Sequence, residues 1–369
     1  MRKLWNPFSK REIVDNRTAS GGAWRPTGHI GNRRHTCFWE PIYNPGFELE
    51  PAAWDWDLKR DSGPVNRLIY GPTLQKCAVA GNTFTIQDMT FRNCDFQGSF
   101  HHEAILIFDN CNFLLCDFAY SKWQYAHFKN CTFLQCSLSL SIFSSCEFGG
   151  CTWREIGMAS KTDLKRTVIS NPKPLIQSMV SRSNPSTPNP RHALNQWYRL
   201  QGTRAHVLRN IMLSHQSAGD EHNFYETVKL HELQRAKARI SKDIFDIIFG
   251  SFKLKLISSL RFFLHFVDYY ILRIFGFINN WGGSASQPLI FLFCCFFLFG
   301  FLYKYINLDS IVNHPFQKSF DITFLVGYTD QTKDISDKLR LFQDFHVICS
   351  VSIYSIFFAT IVSKLSRSR

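Results

Sequence analysis

Between Phe108 and Trp153 a bulky apolar residue falls on every fifth position: Phe108, Phe113, Phe118, Trp123, Phe128, Phe133, Leu138, Phe143, Phe148 and Trp153. No ordinary element has that period. An amphipathic helix repeats its apolar face about every 3.6 residues and a half-buried strand about every 2. A period of five held over this length requires a chain that turns at a fixed interval and stacks on itself. Two places before successive centres stand Cys111, Cys116, Ser121, Ala126, Cys131, Cys136, Ser141, Cys146 and Cys151, all small. If layers about 4.8 Å apart recur every twenty residues, like falls on like. Cys111 lies under Cys131 and Cys151, Phe113 under Phe133 and Trp153, and Phe108 under Phe128 and Phe148. These residues read as a filled interior, with no catalytic part to play.

The same pattern stands upstream in Met89, Phe91 and Cys94-Asp95-Phe96. It is separated from the main run by QGSFHHEAILI, which shifts the register by two and is expected to bulge as a loop. The pattern resembles the pentapeptide-repeat family, whose consensus is a small residue, a polar one, a central Leu or Phe, then two polar residues. The resemblance covers roughly Phe84 to Met158 and implies a right-handed, quadrilateral parallel β-solenoid with four pentapeptides per coil. Some members mimic DNA with a long acidic rod. Here Phe84–Met158 holds seven acidic and four basic residues, and four coils span only about 20 Å. Nucleic acid is therefore not the expected partner. His101, His102 and His127 lack the Cys or carboxylate spacing of a metal site, so neither metal nor cofactor is expected.

The formal net charge of +13 points to an anionic partner, and the placement of the basic residues narrows it. Eight Lys/Arg lie between Met1 and Arg34, against Glu12 and Asp15. Lys253, Lys255, Arg261 and Arg273 precede a long uncharged segment, as on the cytoplasmic side of a lipid bilayer. The twelve cysteines include no CxxC pair, and seven occupy the small slot of the repeat. They read as reduced, buried small hydrophobes. The N-terminus MRKLWNPFSKREIVDNR carries positive charge without an apolar core, so it is not read as a signal peptide. Residues 1–73, with Trp5, Trp24, Trp39, Trp54 and Trp56, form a partly irregular segment. They could cap the solenoid or bind a partner.

The solenoid is assigned to 74–160 and a linker to 161–190, where Ser170–Pro190 is rich in Ser, Pro and Asn. Residues 191–243 read as two helices broken at Ser217-Ala218-Gly219-Asp220, Gly ending the first and Asp beginning the second. This segment is similar to the helical connector of pentapeptide-repeat membrane proteins, through Phe224-Tyr225-Glu226 and Arg235. A hairpin packed on the solenoid's end is expected.

Residues 244–283 alternate apolar runs with charges and should lie along a membrane interface. A third, charged crossing is the expensive alternative. Residues 284–369 hold two spans, Pro288–Ile306 and Val347–Val362. The basic flanks, with Lys364, Arg367 and Arg369, place both termini in the cytoplasm and the protein, multi-pass, in the cell (inner) membrane. Between the spans stands FQKSFDITFLVGYTDQ. The order of outer helix, short helix, Leu325-Val326-Gly327-Tyr328-Thr329-Asp330 and inner helix resembles a two-span potassium-channel pore domain. That family's filter reads Thr-Val-Gly-Tyr-Gly-Asp, so Val326, Gly327, Tyr328 and Asp330 match, while Leu325 and Thr329 depart. The resemblance implies a pore loop, a homo-oligomer of four copies and monovalent cations as the permeant species. The expected function is a pore-like membrane subunit, with a cytoplasmic protein partner or signal on the solenoid. The alternative is a non-conducting, membrane-anchored scaffold. No motif of an enzyme is found.

Overall fold

The computed structural model describes residues 50–51, 67–70, 83–92, 94–100, 105–119, 121–158, 162–180, 190–306, 314–324 and 337–367. The chain divides into two units, Met1–Tyr269 and Tyr270–Arg369. The first contains a parallel β-solenoid of about four turns. Phe84–Gln87, Leu106–Asp109, Ala126–Lys129, Glu147–Gly149 and Val168–Ile169 pair into one sheet. Thr90–Arg92, Asn112–Leu114, Thr132–Leu134 and Thr152–Arg154 make a second, and Ser99–Phe100, Lys122–Gln124, Ile142–Ser144 and Asp163–Lys165 a third. A fourth joins Glu50–Pro51, Arg67–Tyr70 and Asp95–Gln97, and single bridges carry it on through Asp117, Ser137 and Gly157.

The five-residue period follows from the corner. At every described corner of the run the residue two beyond the centre has positive φ: Asn110, Leu115, Tyr125, Asn130, Gln135, Leu140, Ser145, Gly150 and Glu155, with Asp88, Gly98 and Arg166 outside the main run. The chain therefore turns before a strand can exceed four residues. The centres point inward and stack ring on ring. Phe128 lies 5.1 Å from Phe108 and 4.8 Å from Phe148, within 5° of parallel. Phe113 lies 5.0 Å from Phe91 and 4.9 Å from Phe133, which lies 4.5 Å from Trp153. Rings of neighbouring columns meet edge to face, as Phe113 and Phe128 do at 6.0 Å.

The small slot has a polar purpose as well as a steric one. Cys136 Sγ lies 3.1 Å from the Phe113 carbonyl and Cys151 Sγ 3.2 Å from that of Phe128, one layer away in each case. Cys111, Cys116 and Cys131 make the same thiol-to-carbonyl contact. Burial pushes the thiols of Cys146 and Cys151 up to about 11 and about 12, so they stay protonated donors.

Positive φ costs a non-glycine residue about 1–2 kcal/mol, least for Asn and Asp. Tyr125 bears that cost while the residue is 43% exposed. Tyr125→Asn is therefore expected to stabilise the solenoid by roughly 0.5–1 kcal/mol. A urea midpoint that falls instead would contradict this account of the corner.

Three boundaries differ from the sequence reading. First, the register shift of two is the net of two opposite changes. Phe96 to Phe100 is one residue short of a repeat and Phe100 to Phe108 is three residues long. Phe100 stays in the interior, stacked 3.9 Å from Trp123. Second, the solenoid does not stop at 160. Leu164 and Ile169 fill central slots, and Thr162 and Thr167 donate across layers to the Leu138 and Phe143 carbonyls at 3.0 Å. Much of the expected linker is folded too, since helix α1 (Pro172–Ser178) buries Leu175 and Ile176. Third, Ile69 in the strand Arg67–Tyr70 is buried in the same core, so the fold reaches back before residue 74. The five N-terminal tryptophans, with His101 and His102, lie outside the described residues.

The expected hairpin is present as α2 (Pro190–Ala218) and α3 (Glu221–Phe249). Gly219 has φ +74, and the Asp220 carboxylate accepts from the Asn223 N–H at 3.2 Å. Leu200, Val207, Leu208 and Ile211 of α2 join the solenoid's core cluster. Helix α4 (Phe252–Ile278) leaves Phe252, Leu256, Leu260, Phe263, Ile274 and Phe277 exposed. Its His265 Nδ1 lies 2.6 Å from the Asp243 carboxylate of α3.

Candidate pore region

The second unit is built on α5 (Ser286–Ile306) and α7 (Asp337–Arg367), with the short α6 (Pro315–Thr323) between them in sequence. The segments Ser286–Tyr305 and Arg340–Ser366 are long and apolar enough to cross a membrane. The 21 residues of α5 at about 1.5 Å each reach roughly 30 Å, the hydrocarbon thickness. Helix α6 begins where Pro315 fixes φ at a position that needs no N–H partner.

Helix α6 buries three polar side chains together with one apolar one. Lys318, Ser319, Ile322 and Thr323 are buried, whereas Phe320 is exposed. The polar side faces α5 and α7. Ser319 Oγ donates to the Phe296 carbonyl at 2.7 Å. Thr323 Oγ1 lies 2.9 Å from His346 Nε2, and Tyr303 Oη 3.3 Å from His346 Nδ1. The imidazole lies flat on Phe299, ring centres 3.8 Å apart. Lys318 Nζ sits 5.7 Å from the Tyr303 ring centre, at cation–π range. Thr323 of α6 and both Tyr303 and Phe299 of α5 thus meet at His346 of α7. Meanwhile Phe293, Phe297 and Phe301 of α5 and Phe345, Ile348 and Val351 of α7 are exposed. Polar contacts inside and apolar rings outside is the arrangement that hydrocarbon surroundings favour.

Gly300 permits the close approach of α6. A Cβ there would come 2.5 Å from Cδ1 of Phe316. That ring is held on its other sides by Phe301 at 5.3 Å and Phe296 at 6.3 Å.

The six filter candidates, Leu325, Val326, Gly327, Tyr328, Thr329 and Asp330, lie outside the described residues. What is described is the anchor immediately before them, since α6 closes at Phe324, whose N–H donates to the Phe320 carbonyl at 2.8 Å. The sequence reading did not single out His346, Tyr303, Thr323, Ser319 or Gly300. The available signal was a lone His at the edge of an apolar span, because polar residues at membrane depth are retained for a contact. The solenoid-core residues expected from sequence, Phe108 through Trp153 with the five core cysteines between them, come together in one cluster, which Cys151 flanks partly buried. Among the described residues, no group of three or more His, Cys, Asp or Glu is placed to hold a metal ion. No protein-family model matches this chain, and no curated protein matches it either.

Proposed function

We propose that this chain is a pore-like subunit of an ion pathway in the cell (inner) membrane, carrying a cytoplasmic solenoid that senses or binds a partner. The observation that supports this reading is the seating of α6. A short helix bonded through Ser319 and Thr323 to both candidate spans ends at Thr323, with Phe324 alone between it and the segment Leu325–Asp330. A pore loop needs such a rigid start, because its own carbonyls must be free to replace an ion's hydration shell. In this reading the solenoid is right-handed and four-sided, both spans cross the membrane, and both termini are cytoplasmic. Four copies surround one axis through which monovalent cations pass. The exposed rings of α5 and α7 then face lipid or neighbouring copies.

A second reading has its own support. Leu325 stands where the family's Thr would lend a hydroxyl, and Thr329 where a Gly would take an unusual backbone conformation. Such a loop suits a non-conducting membrane scaffold whose business is done by the solenoid. Assembly separates the two readings in part. Purified into lipid nanodiscs and weighed by native mass spectrometry, the protein is expected as a tetramer. A monomer would remove the pore, since one copy cannot enclose an axis.

A further inference from the structure

The last strand of the solenoid, Val168–Ile169, pairs on one side with Glu147–Gly149. Its other edge would offer unpaired main-chain groups to any extended chain that arrived. Two consecutive side chains of α2 occupy that edge in place of another coil. Ser214 Oγ accepts from the Thr167 N–H at 2.6 Å and donates to the Thr167 carbonyl at 2.8 Å. His215 Nε2 accepts from the Ile169 N–H at 3.1 Å. On the far side of the ring, His215 Nδ1 lies 3.1 Å from Thr227 Oγ1 of α3. That hydroxyl already donates to the Asn223 carbonyl at 2.6 Å. It is therefore an acceptor toward the ring, which places the ring proton on Nδ1 and a lone pair on Nε2. Every contact is satisfied by the neutral imidazole, and His215 is completely buried.

We infer that His215 is a proton-operated latch, whose neutral ring holds the solenoid's last strand on the helical hairpin and whose protonation releases it. A proton on Nε2 would set one N–H against another, in a place closed to water. The main chain of Thr167 and Ile169 faces the ring region from the solenoid, and Thr227 with the Asn223 main chain from α3. The charged group acting on it is Asp220, in the turn between α2 and α3. Burial holds the imidazole below its ordinary 6.5, opposed by the Asn223 main chain and by Asp220. The sign follows from linkage. The released ring takes its proton at the ordinary value and the docked ring resists it, so docking is complete above 6.5. Docking then weakens as pH falls below that value, by up to about tenfold per pH unit until the docked ring itself titrates. Beyond the latch, α3 is bonded to α4 through Asp243 and His265, so release would be felt along the hairpin.

The inference rests on the junction of solenoid and hairpin and is independent of whether the second unit conducts. The test is hydrogen–deuterium exchange with mass spectrometry on the full chain in nanodiscs, at about pH 7.5 and about pH 5.5, with intrinsic rates corrected. Protection of the peptide holding Ile169 is expected to fall several-fold to tenfold on acidification, while that holding Phe128 stays constant. In His215→Gln, whose side-chain oxygen can accept the same N–H but takes no proton, the pH step should vanish. Ser214→Ala should lower protection at both pH values and keep the step. Protection that ignores pH in the wild type, or an equal step in His215→Gln, would overturn the latch.

Discussion

Phe128→Ala is expected to destabilise the solenoid by about 3–5 kcal/mol, the range for deleting a fully buried aromatic ring. Phe128 is completely buried and sits mid-column between Phe108 and Phe148, with Phe113 and Phe133 edge-on at 6.0 and 5.7 Å. The loss would consume a large part of the ~5–15 kcal/mol that holds an ordinary domain together. Each layer in a stacked array touches only its neighbours, so the damage should be local. The flanking thiols provide the readout. Cys131 is buried and Cys151 lies close to the Phe128 carbonyl, so both should become reactive to a thiol reagent well before Cys94 does. A loss under ~1 kcal/mol, or uniform labelling of all the cysteines, would mean that the ladder is not the core.

The second large effect is expected at Gly300. Alanine there would place a Cβ 2.5 Å from a ring wedged among Phe296 and Phe301, so α6 must move to relieve the overlap. Overpacking of this kind costs about 1–3 kcal/mol. A shift of about 1 Å would stretch the bonds from Ser319 to Phe296 and between Thr323 and His346 beyond hydrogen-bonding range. On the proposed function, ion flux from liposomes should fall at least tenfold, with the solenoid's unfolding midpoint unchanged. Trimming the ring with Phe316→Leu in the same chain should restore part of it, a coupling that distant, independent sites do not show. Full flux in Gly300→Ala would show that the seat of α6 does not matter to the pore.

The ladder was legible in the sequence because its period is unlike that of any helix or strand, and because the same few residues return to each slot. The hairpin turn was legible for a local reason, since Gly219 and Asp220 are the residue types that end and begin helices. What escaped notice lay where the period or the vocabulary changed. One extra residue between Met158 and Leu164 moved the last two repeats out of register, and Thr replaced Cys in the small slot. The stretch TDLKRTVIS therefore looked like the start of a linker, although Thr162 and Thr167 make the same donation across layers that the cysteines make. The pairing of Ser214 and His215 with the last strand has no periodic trace, because it joins positions more than forty residues apart. In the second unit the apolar lengths announced the two candidate spans. The meeting of Thr323, His346 and Tyr303 depends on how three helices pack, which composition does not encode.

The central claim is tested most directly by recording from the purified protein in planar bilayers, wild type beside Gly327→Val. Gly327 is the position where an unbranched, permissive backbone is needed if its carbonyl is to face an ion, and a β-branched side chain denies it. The account predicts discrete single-channel currents carried by monovalent cations in the wild type and none in the variant, with both proteins inserted in equal amounts. Silence from both inserted proteins, or currents that Gly327→Val leaves unchanged, would contradict it and assign the chain to the scaffold reading.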